Sequence, residues 1–356
     1  MLAGCRTFPP PDANRLAEIE PHLGRLLLVG FHGTTPETTP GLTRLLCETR
    51  VGGTLLFGRN VVDVEQVATL TRWTRDLAAA CGTTPLLIAV DAEGGRVMRL
   101  APTAGYTPTL SARELAHAND FTLTELEARR LGATLRRAGI NWNLAPVVDV
   151  GYNPVNPVIV GTGRSFGANP RLVTEHARAF VAGMRAAGIL TALKHFPGHG
   201  SSFHDSHLGF VDVTETANAE LELVPYRVLL ADRAVDAVMT AHVFNRRLDP
   251  RLPATLSWAT ISGVLRGGMG WDGVVVSDDL RMGAIEQHYG LGDAAVLALE
   301  AGVDVLIIAD DRLPGGDSAA DVALRALRRA LRSGRLPLER VESALRRVQA
   351  LHARAR

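Results

Sequence analysis

Histidine and carboxylate side chains crowd into one short stretch of this 356-residue sequence. Residues 194–207 contain four of the eleven histidines, and Asp205 stands two residues before the last of them, His207. A carboxylate at that spacing can contact the imidazole and hold one tautomer, so that the histidine can donate and retrieve a proton near neutral pH. Asp278 follows a short apolar run and is a second candidate. One acid/base group and one carboxylate suit glycosyl transfer on a hydroxyl-rich substrate, where two carboxylates are usual.

The same histidines offer a metal site as an alternative. His195 and His199 are four residues apart, and Asp278 with Asp279 would complete the ligand shell of a metal-dependent hydrolase. Two histidines at this spacing share a face on a helix, and the Pro-Gly pair between them disfavours a helix. We therefore expect no metal and no other cofactor.

Five further polar side chains follow other short apolar runs and would surround the reacting groups. They are Asp91, Arg99, Arg164, Lys194 and His195. Three more carboxylates are expected to support this set rather than to react. Asp149 would hold neighbouring strand ends, Glu93 would support arginines, and Asp279 would bond the backbone or an arginine, because adjacent strand residues point in opposite directions.

Lys194 is the only lysine among the 38 basic residues of the sequence. A general bias towards arginine explains why lysine is scarce and leaves the position of the last one to chance. The alternative is that position 194 requires an ammonium, which is a compact point donor, where a guanidinium would be a wide planar fork. Direct contact with a sugar would be such a requirement.

The candidate residues lie at the ends of short apolar runs, which this pattern predicts to be strands. There are eight such runs, at residues 25–31, 53–57, 85–90, 143–150, 190–195, 237–243, 273–277 and 304–309. Most are apolar on both faces, as is typical of buried parallel strands. Amphipathic stretches between them predict helices, one beginning at Asp63 and others at residues 122–138, 170–187, 216–232, 258–266, 293–301, 318–332 and 337–354.

Eight strands that alternate with helices indicate an α/β fold, a (β/α)8 barrel of the TIM type. Chemistry in that fold belongs at the carboxyl ends of the strands, where the polar residues above are found. No G-x-G-x-x-G follows the first run, which disfavours a doubly wound sheet. We expect a single catalytic domain over residues 1–356, with a short extension at 1–20, the barrel at about 21–333 and an extra C-terminal helix at about 337–354.

Composition excludes several classes of protein. The formal net charge of +1 leaves no excess of basic charge for a nucleic acid, and no apolar run approaches the ~20 residues of a membrane span. Three scattered cysteines predict no disulfide framework and fit a reducing compartment, so a cytoplasmic location is expected. The Leu2-Ala3-Gly4-Cys5 segment resembles a lipoprotein cleavage box, but no apolar stretch precedes it, and we interpret it as chance. A monomer is expected.

Several longer motifs carry a resemblance to a known family. They are K-H-F-P-G-H-G-x4-D-S-H at residues 194–207, D-x-E-G-G-R-V-x-R at 91–99, R-S-F-G at 164–167 and V-V-V-S-D-D-L-R-M at 274–282. Together they resemble the β-N-acetylhexosaminidases of glycoside hydrolase family 3, of the single-domain, peptidoglycan-recycling type. The resemblance runs from the first apolar run to the eighth, and the first motif is the most specific one.

The resemblance implies a retaining exo-β-N-acetylglucosaminidase that acts on muropeptides or chitooligosaccharides. Asp278 would be the catalytic nucleophile, and His207, with Asp205 as its partner, would be the general acid/base. The sugar-binding positions of the family match Asp91, Arg99, Arg164, Lys194 and His195. Its two-domain β-glucosidases carry S-D-W at the nucleophile, whereas this chain has S-D-D together with D-S-H.

Other functions remain open from the sequence. A histidine acid/base does not repel an incoming phosphate, so a glycoside phosphorylase could use the same groups, and a broader β-glycosidase could also do so. A non-catalytic glycan-binding barrel is a third alternative, although it would be expected to lose Asp278 or His207. Departures from the family pattern at Ala92, residues 201–204 and residues 281–283 lie beside the site and bear on the preferred aglycone.

Overall fold

The computed structural model describes residues 12–355, and these residues contain a closed barrel of eight parallel strands. The strands are β1 (Leu27–Gly30), β2 (Gly53–Leu56), β3 (Leu87–Val90), β4 (Trp142–Asn143), β5 (Leu190–Phe196), β6 (Ala237–Thr240), β7 (Val274–Asp279) and β8 (Val305–Ile308). Each pairs with the strands before and after it in sequence, and β8 closes onto β1 with Ile308 beside Val29. The predicted (β/α)8 barrel is confirmed.

The apolar character of both strand faces explains why these segments form the centre of the fold. Every residue of β1, β2, β3 and β8 is buried. One face of each strand fills the barrel and the other packs against the surrounding helices, so neither face needs polar side chains. Gly53 of β2 allows close packing, because a Cβ there would lie 2.8 Å from the Leu87 side chain on β3.

Helices surround the barrel. They are α1 (Ala13–Ile19), α2 (Pro40–Arg44), α3 (Val64–Ala80), α4 (Ala112–Ala118), α5 (Phe121–Arg137), α6 (Pro170–Ala186), α7 (Ala219–Glu222), α8 (Val224–Ala231), α9 (Gly283–Tyr289), α10 (Leu291–Ala301), α11 (Ala319–Arg332) and α12 (Leu338–Arg354). Two π-helices, Leu45–Thr49 and Ala259–Gly268, add to them. No helix within residues 12–355 is long and apolar enough to cross a bilayer.

The fourth strand is much shorter than the predicted residues 143–150. It ends at Asn143, because Pro146 has no N–H group with which to continue the ladder. The chain then runs beside β5 with irregular pairing, and the Val148 N–H donates to the Lys194 carbonyl at 2.8 Å. This segment carries Asp149 to the carboxyl end of the barrel.

Two predicted helices also differ from the structure. The stretch at 216–232 is divided at Leu223 into α7 and α8, because Pro225 in the first turn of α8 lacks the N–H that a continuous helix would need. The stretch at 258–266 is a π-helix rather than an α-helix.

Cys47 and Cys81 form a disulfide, which the expectation of scattered cysteines without a disulfide framework did not foresee. Their Cα atoms are 4.9 Å apart although they are 34 positions apart in sequence. The π-helix Leu45–Thr49 carries one of them, and the other caps the end of α3. Since disulfides are typical of oxidising compartments, the cysteines no longer support a cytoplasmic location, which stays a prediction. The Leu2-Ala3-Gly4-Cys5 segment lies outside the described residues.

Asp304 holds the C-terminal helix against the amino end of the barrel. It directly precedes β8, its side chain is fully buried, and it accepts the Val275 N–H at 3.0 Å. Its oxygens also lie 2.6 Å from Arg266, 2.8 Å from Arg340 and 3.4 Å from Arg347, the last two on α12. A single carboxylate thus ties the π-helix Ala259–Gly268 and α12 to the start of two strands.

The substitution Asp304→Asn should therefore destabilise the fold. It leaves three guanidinium groups around an uncharged side chain, and breaking a buried ion pair costs about 3–5 kcal/mol. Urea unfolding measures this loss of free energy. Asp293→Asn is the control, because Asp293 is 72% exposed and lies 3.8 Å from its partner Arg335. Equal stability of the two variants would contradict the role given to Asp304.

Candidate active site

Lys194 lies between two carboxylates at the carboxyl end of the barrel. It belongs to β5, whereas Asp91 directly follows β3 and Glu93 comes two residues later. The Lys194 Nζ is 2.9 Å from an Asp91 oxygen and 2.6 Å from a Glu93 oxygen, and its side chain is 3% exposed. Burial alone would lower the pKa of Lys194, but the two carboxylates raise it above its ordinary value. Lys194 is therefore a fixed positive charge at neutral pH.

Two arginines complete this ion-pair cluster. Arg164 donates to both oxygens of Glu93, at 2.7 and 2.8 Å, and Arg99 lies 3.6 Å from Asp91. Burial alone would raise the pKa of Glu93, but Arg164 and Lys194 hold it well below its usual range. Glu93 thus supports Arg164, as expected, and it also shares Lys194 with Asp91.

Asp149 fixes the histidines of the loop that follows β5. Its side chain is buried, one oxygen accepts the His199 N–H at 2.8 Å, and the other lies 2.7 Å from the His195 Nδ1. The other ring nitrogen of His195 lies 3.4 Å from Arg164. Asp149 therefore joins the segment that follows β4 to β5, as expected. It also sets the orientation of the His195 ring beside the ion-pair cluster.

Asp279 has the backbone role expected for it. One of its oxygens accepts the Arg281 N–H at 3.1 Å and the Ala309 N–H at 2.9 Å, which ties the end of β7 to the end of β8. Burial raises its pKa to about 6. Its carbonyl oxygen lies 2.8 Å from the His242 Nε2, so this imidazole from the end of β6 also holds the end of β7.

Asp278 is the partly exposed carboxylate at the same strand end. It accepts the Asp279 N–H at 2.8 Å. Burial alone would raise the pKa of Asp278, but the imidazoles of His242, His195 and His207 hold it below its ordinary value. The side chain is therefore ionised at neutral pH, which is the form a nucleophile requires.

Asp205 and His207 form the pair that their spacing predicts. The Asp205 Oδ1 is 2.6 Å from the His207 Nδ1 and accepts the His207 N–H at 2.9 Å. Burial would raise the pKa of Asp205, but these two contacts keep it below its ordinary value. The His207 side chain is 60% exposed, so its other ring nitrogen is open to a ligand or to water.

The loop that carries this pair is anchored from both sides. The Asn153 side chain donates to the carbonyls of Ser201 and Ser202, at 3.1 and 3.0 Å. The Ser206 carbonyl accepts the Ala284 N–H, next to the start of α9, at 3.3 Å. These bonds place His207 on the side of the barrel end where β7 terminates, near enough to Asp278 to affect its pKa.

The two metal-ligand candidates do not face a common point. His195 uses Nδ1 on Asp149, and the His199 nitrogens lie 2.6 Å from the Ser202 hydroxyl and 3.0 Å from the Ser206 hydroxyl. Burial lowers the pKa of His199 to about 4, which keeps this ring neutral. Within the described part of the chain, no three His, Cys, Asp or Glu side chains gather as a metal cluster.

The structure brings the five residues expected to bind substrate into one connected set at the carboxyl end of the barrel. Sequence reasoning gave no role to Asn153 and His242, which hold the loops of the site, or to the buried Glu222, described below. Asparagine is common in loops, His242 ends an apolar run in a segment (residues 239–242) that resembles the family but was given no individual role, and Glu222 falls in an amphipathic stretch. None of these patterns by itself indicates a role at an active site.

The geometry of Lys194 makes the exchange for arginine a sharp test. We expect Lys194→Arg to weaken the binding of N-acetylglucosamine and to leave the fold intact, because a second planar fork cannot replace a point charge beside the Arg164–Glu93 pair. Calorimetric titration with the sugar and thermal unfolding measure the two effects. Arg96→Lys, an exchange at an exposed position of the same motif, is the control. Unchanged sugar binding would mean that position 194 does not require a lysine.

Comparisons with known proteins identify the family of this chain. Residues 19–351 match the family described as glycosyl hydrolase family 3 N terminal domain. A β-hexosaminidase of Alkalilimnicola ehrlichii is 38% identical over 315 residues, which cover 84% of this chain and 87% of the relative. The β-hexosaminidase LpqI of Mycobacterium tuberculosis is 40% identical over 283 residues, covering 77% of this chain and 69% of the relative.

Solved structures show the same relationship. A glycoside hydrolase family 3 β-N-acetylglucosaminidase from a Paenibacillus species superposes with a TM-score of 0.87 at 40% identity over 95% of this chain, although the chain spans only 62% of that protein. A β-N-acetylhexosaminidase from Beutenbergia cavernae superposes with a TM-score of 0.84 at 32% identity, over 94% of this chain and 98% of the other. The chain belongs to glycosyl hydrolase family 3 and is a glycoside hydrolase.

Proposed function

We propose that this glycoside hydrolase is a retaining exo-β-N-acetylglucosaminidase with Asp278 as nucleophile and His207 as general acid/base. The observation that carries the proposal is that the loop with the Asp205–His207 pair is hydrogen-bonded to α9, which follows the strand end that carries Asp278. The names of the relatives, β-hexosaminidase and β-N-acetylglucosaminidase, support the choice of sugar.

The reaction would take two displacements at the anomeric carbon. In the first, an Asp278 oxygen bonds to the anomeric carbon while the bond between that carbon and the glycosidic oxygen breaks. His207 gives a proton from Nε2 to the departing oxygen. In the second, a water oxygen bonds to the same carbon, His207 takes a proton from the water, and Asp278 leaves as a carboxylate. Asp205 holds the His207 Nδ1–H, so Nε2 is the nitrogen that exchanges the proton.

The ion-pair cluster would bind the sugar that is released. Its donors and acceptors are connected through Glu93 and Asp91, so each is held in place before substrate arrives. Preorganised charged groups lose little entropy on binding and give hydroxyl groups fixed partners. The cluster and the Asp149–His195 pair together would orient the anomeric carbon towards Asp278.

Two arginines flank the Phe57 ring beside the ion-pair cluster. The Arg59 guanidinium lies 4.4 Å from the centre of the Phe57 ring, and that of Arg99 lies 5.7 Å from it. Burial lowers the pKa of Arg59, and the nearby cations of Arg312 and Arg99 lower it further, whereas the carboxylates of Asp310 and Asp279 raise it. Arg99 has its own carboxylate neighbour, Asp91, at 3.6 Å. Because carboxylates accompany these arginines, both muropeptides and chitooligosaccharides remain proposed substrates.

Replacement of Asp278 by alanine should abolish turnover. Without the nucleophile the covalent intermediate cannot form, and a loss of at least about 10³-fold in kcat is expected. Release of p-nitrophenol from its β-N-acetylglucosaminide measures it. Asp279→Asn is the matched control, because an amide oxygen can still accept the two N–H groups that Asp279 accepts. An unaffected rate in Asp278→Ala would remove the nucleophile assignment.

Replacement of His207 by alanine should depend on the leaving group. Methyl β-N-acetylglucosaminide has a poor leaving group and needs protonation, whereas p-nitrophenolate does not, so kcat/KM should fall far more for the methyl glycoside. His204→Ala, an exposed histidine of the same loop, should leave the ratio of the two substrates unchanged. Equal losses on both substrates in His207→Ala would contradict general acid catalysis by His207.

The same assays with phosphate added distinguish a glycoside phosphorylase from a hydrolase. A histidine acid/base partly exposed to solvent leaves room for an anion, which a second carboxylate would repel. Hydrolysis predicts free N-acetylglucosamine with or without phosphate. Formation of the sugar 1-phosphate would identify a phosphorylase.

A further inference from the structure

Glu222 is a buried carboxyl group that the reaction above does not use. It is the last residue of α7 and is 4% exposed, and its Oε1 forms no hydrogen bond of normal geometry within residues 12–355, although the Ser201 and Tyr152 hydroxyls lie near the carboxyl group. Its other oxygen accepts the Asn218 N–H at 3.0 Å. A buried polar atom without a hydrogen-bond partner destabilises the fold, and a function of Glu222 would account for its presence.

Glu222 packs directly against the turn that leads into the catalytic loop. A Cβ added to Gly198 would lie 2.8 Å from the Cβ, Cδ and Oε1 atoms of Glu222, so no space separates the two residues. Gly198 also has a φ of +148°, a backbone conformation that side chains disfavour. Only glycine fits this position against Glu222, and a shift of the carboxyl group would move the turn.

The turn links Glu222 to the active site through hydrogen bonds. The next residue, His199, donates its N–H to Asp149 at 2.8 Å, and the other oxygen of Asp149 lies 2.7 Å from the His195 ring. The path from Glu222 through Gly198, His199 and Asp149 ends at an imidazole beside the ion-pair cluster.

The charged and titratable groups around Glu222 favour its neutral form. Burial and the Asp149 carboxylate raise its pKa to about 7, against the Asn218 N–H and the Ser201 and Tyr152 hydroxyls, which lower it. Tyr152, from the loop after β4, and the buried Tyr226 of α8 also lie close to it. None of the groups named above is a cation, and Arg247, which lines a cavity together with Glu222, is paired with Glu215, so an ionised Glu222 would be a second carboxylate near Asp149 without a counter-charge of its own.

A cavity of about 630 Å³ opens on the other side of the same contact. Gly198 and Glu222 line it, as do Glu220, Glu215 and Arg247, the last two paired at 2.9 Å. Water in such a cavity could exchange a proton with Glu222 and solvate its ionised form if the turn moved.

We propose that Glu222 is a positioning residue, which in its protonated form holds the turn at Gly198 and through it the Asp149–His195 pair. Ionisation would place an uncompensated charge beside Asp149, loosen the turn towards the cavity and misplace His195. This inference rests on the proposed glycosidase function, since its effect on the active site is read through turnover of a β-N-acetylglucosaminide.

The test compares Glu222→Gln and Glu222→Ala over pH 5–9 with p-nitrophenyl β-N-acetylglucosaminide. The wild type should lose kcat/KM, mainly through KM, as pH rises through about 7. Glu222→Gln, which is always neutral, should lack this decline. Glu222→Ala should have a kcat/KM about tenfold below that of Glu222→Gln at every pH, since small displacements at an active site are costly. Restoration by glutamine of what alanine loses would show that a neutral side chain of this size and polarity is sufficient at this position.

Glu220→Gln is the matched control, because Glu220 is exposed on the same helix and should keep the wild-type profile. An alkaline decline that is the same in the wild type and in Glu222→Gln would overturn the proposal, and so would wild-type activity in Glu222→Ala.

Thermal unfolding gives a readout that needs no turnover. The folded pKa of Glu222 lies above its unfolded value of 4.5, so the unfolded chain releases this proton first. The wild type should therefore lose stability relative to Glu222→Gln as pH rises from about 4.5 to about 7. A pH-independent difference would overturn the proposal. A wild type that shows this difference but hydrolyses no β-N-acetylglucosaminide would instead refute the proposed function.

Discussion

The cluster in which Lys194 lies between Asp91 and Glu93 is the interaction on which the active site depends. Removing a charge from water costs several kcal/mol, and pairing offsets this cost only when the geometry is good. Lys194 comes from β5, the two carboxylates follow β3, and Arg164 comes from the loop after β4. The cluster therefore exists only when three neighbouring strand ends are in register, and in turn it fixes those ends in place.

The two ends of the barrel use basic residues differently. At the amino end, Asp304 is surrounded by three guanidinium groups, which suit arginine because its planar fork donates in several directions. At the carboxyl end, Lys194 places a compact ammonium within 2.9 Å of two separate carboxylates. The single lysine of an arginine-rich chain thus stands where a point charge fits, beside an arginine that already occupies both oxygens of Glu93.

The apolar runs predicted the strands well because both faces of a parallel barrel strand are buried, so hydrophobicity alone marks them. The fourth strand and the helix before β6 were predicted too long, since Pro146 and Pro225 interrupt backbone hydrogen bonding within segments that remain apolar. Spacing of two residues was enough to predict the contact of Asp205 with His207, because that contact is local. The Cys47–Cys81 disulfide was missed because it joins separate turns of the chain.

By itself, the sequence determined the barrel and the family motifs and supplied the candidates for the reacting groups, because these depend on residue type, local spacing and hydrophobic pattern. Only the tertiary structure decided which charges neutralise one another: that Glu93 serves Lys194 as well as Arg164, that Asp149 holds two histidines, and that Glu222 touches Gly198. These contacts join residues far apart in the chain. Their strength depends on distance and on exclusion of water, and the barrel sets both when it closes.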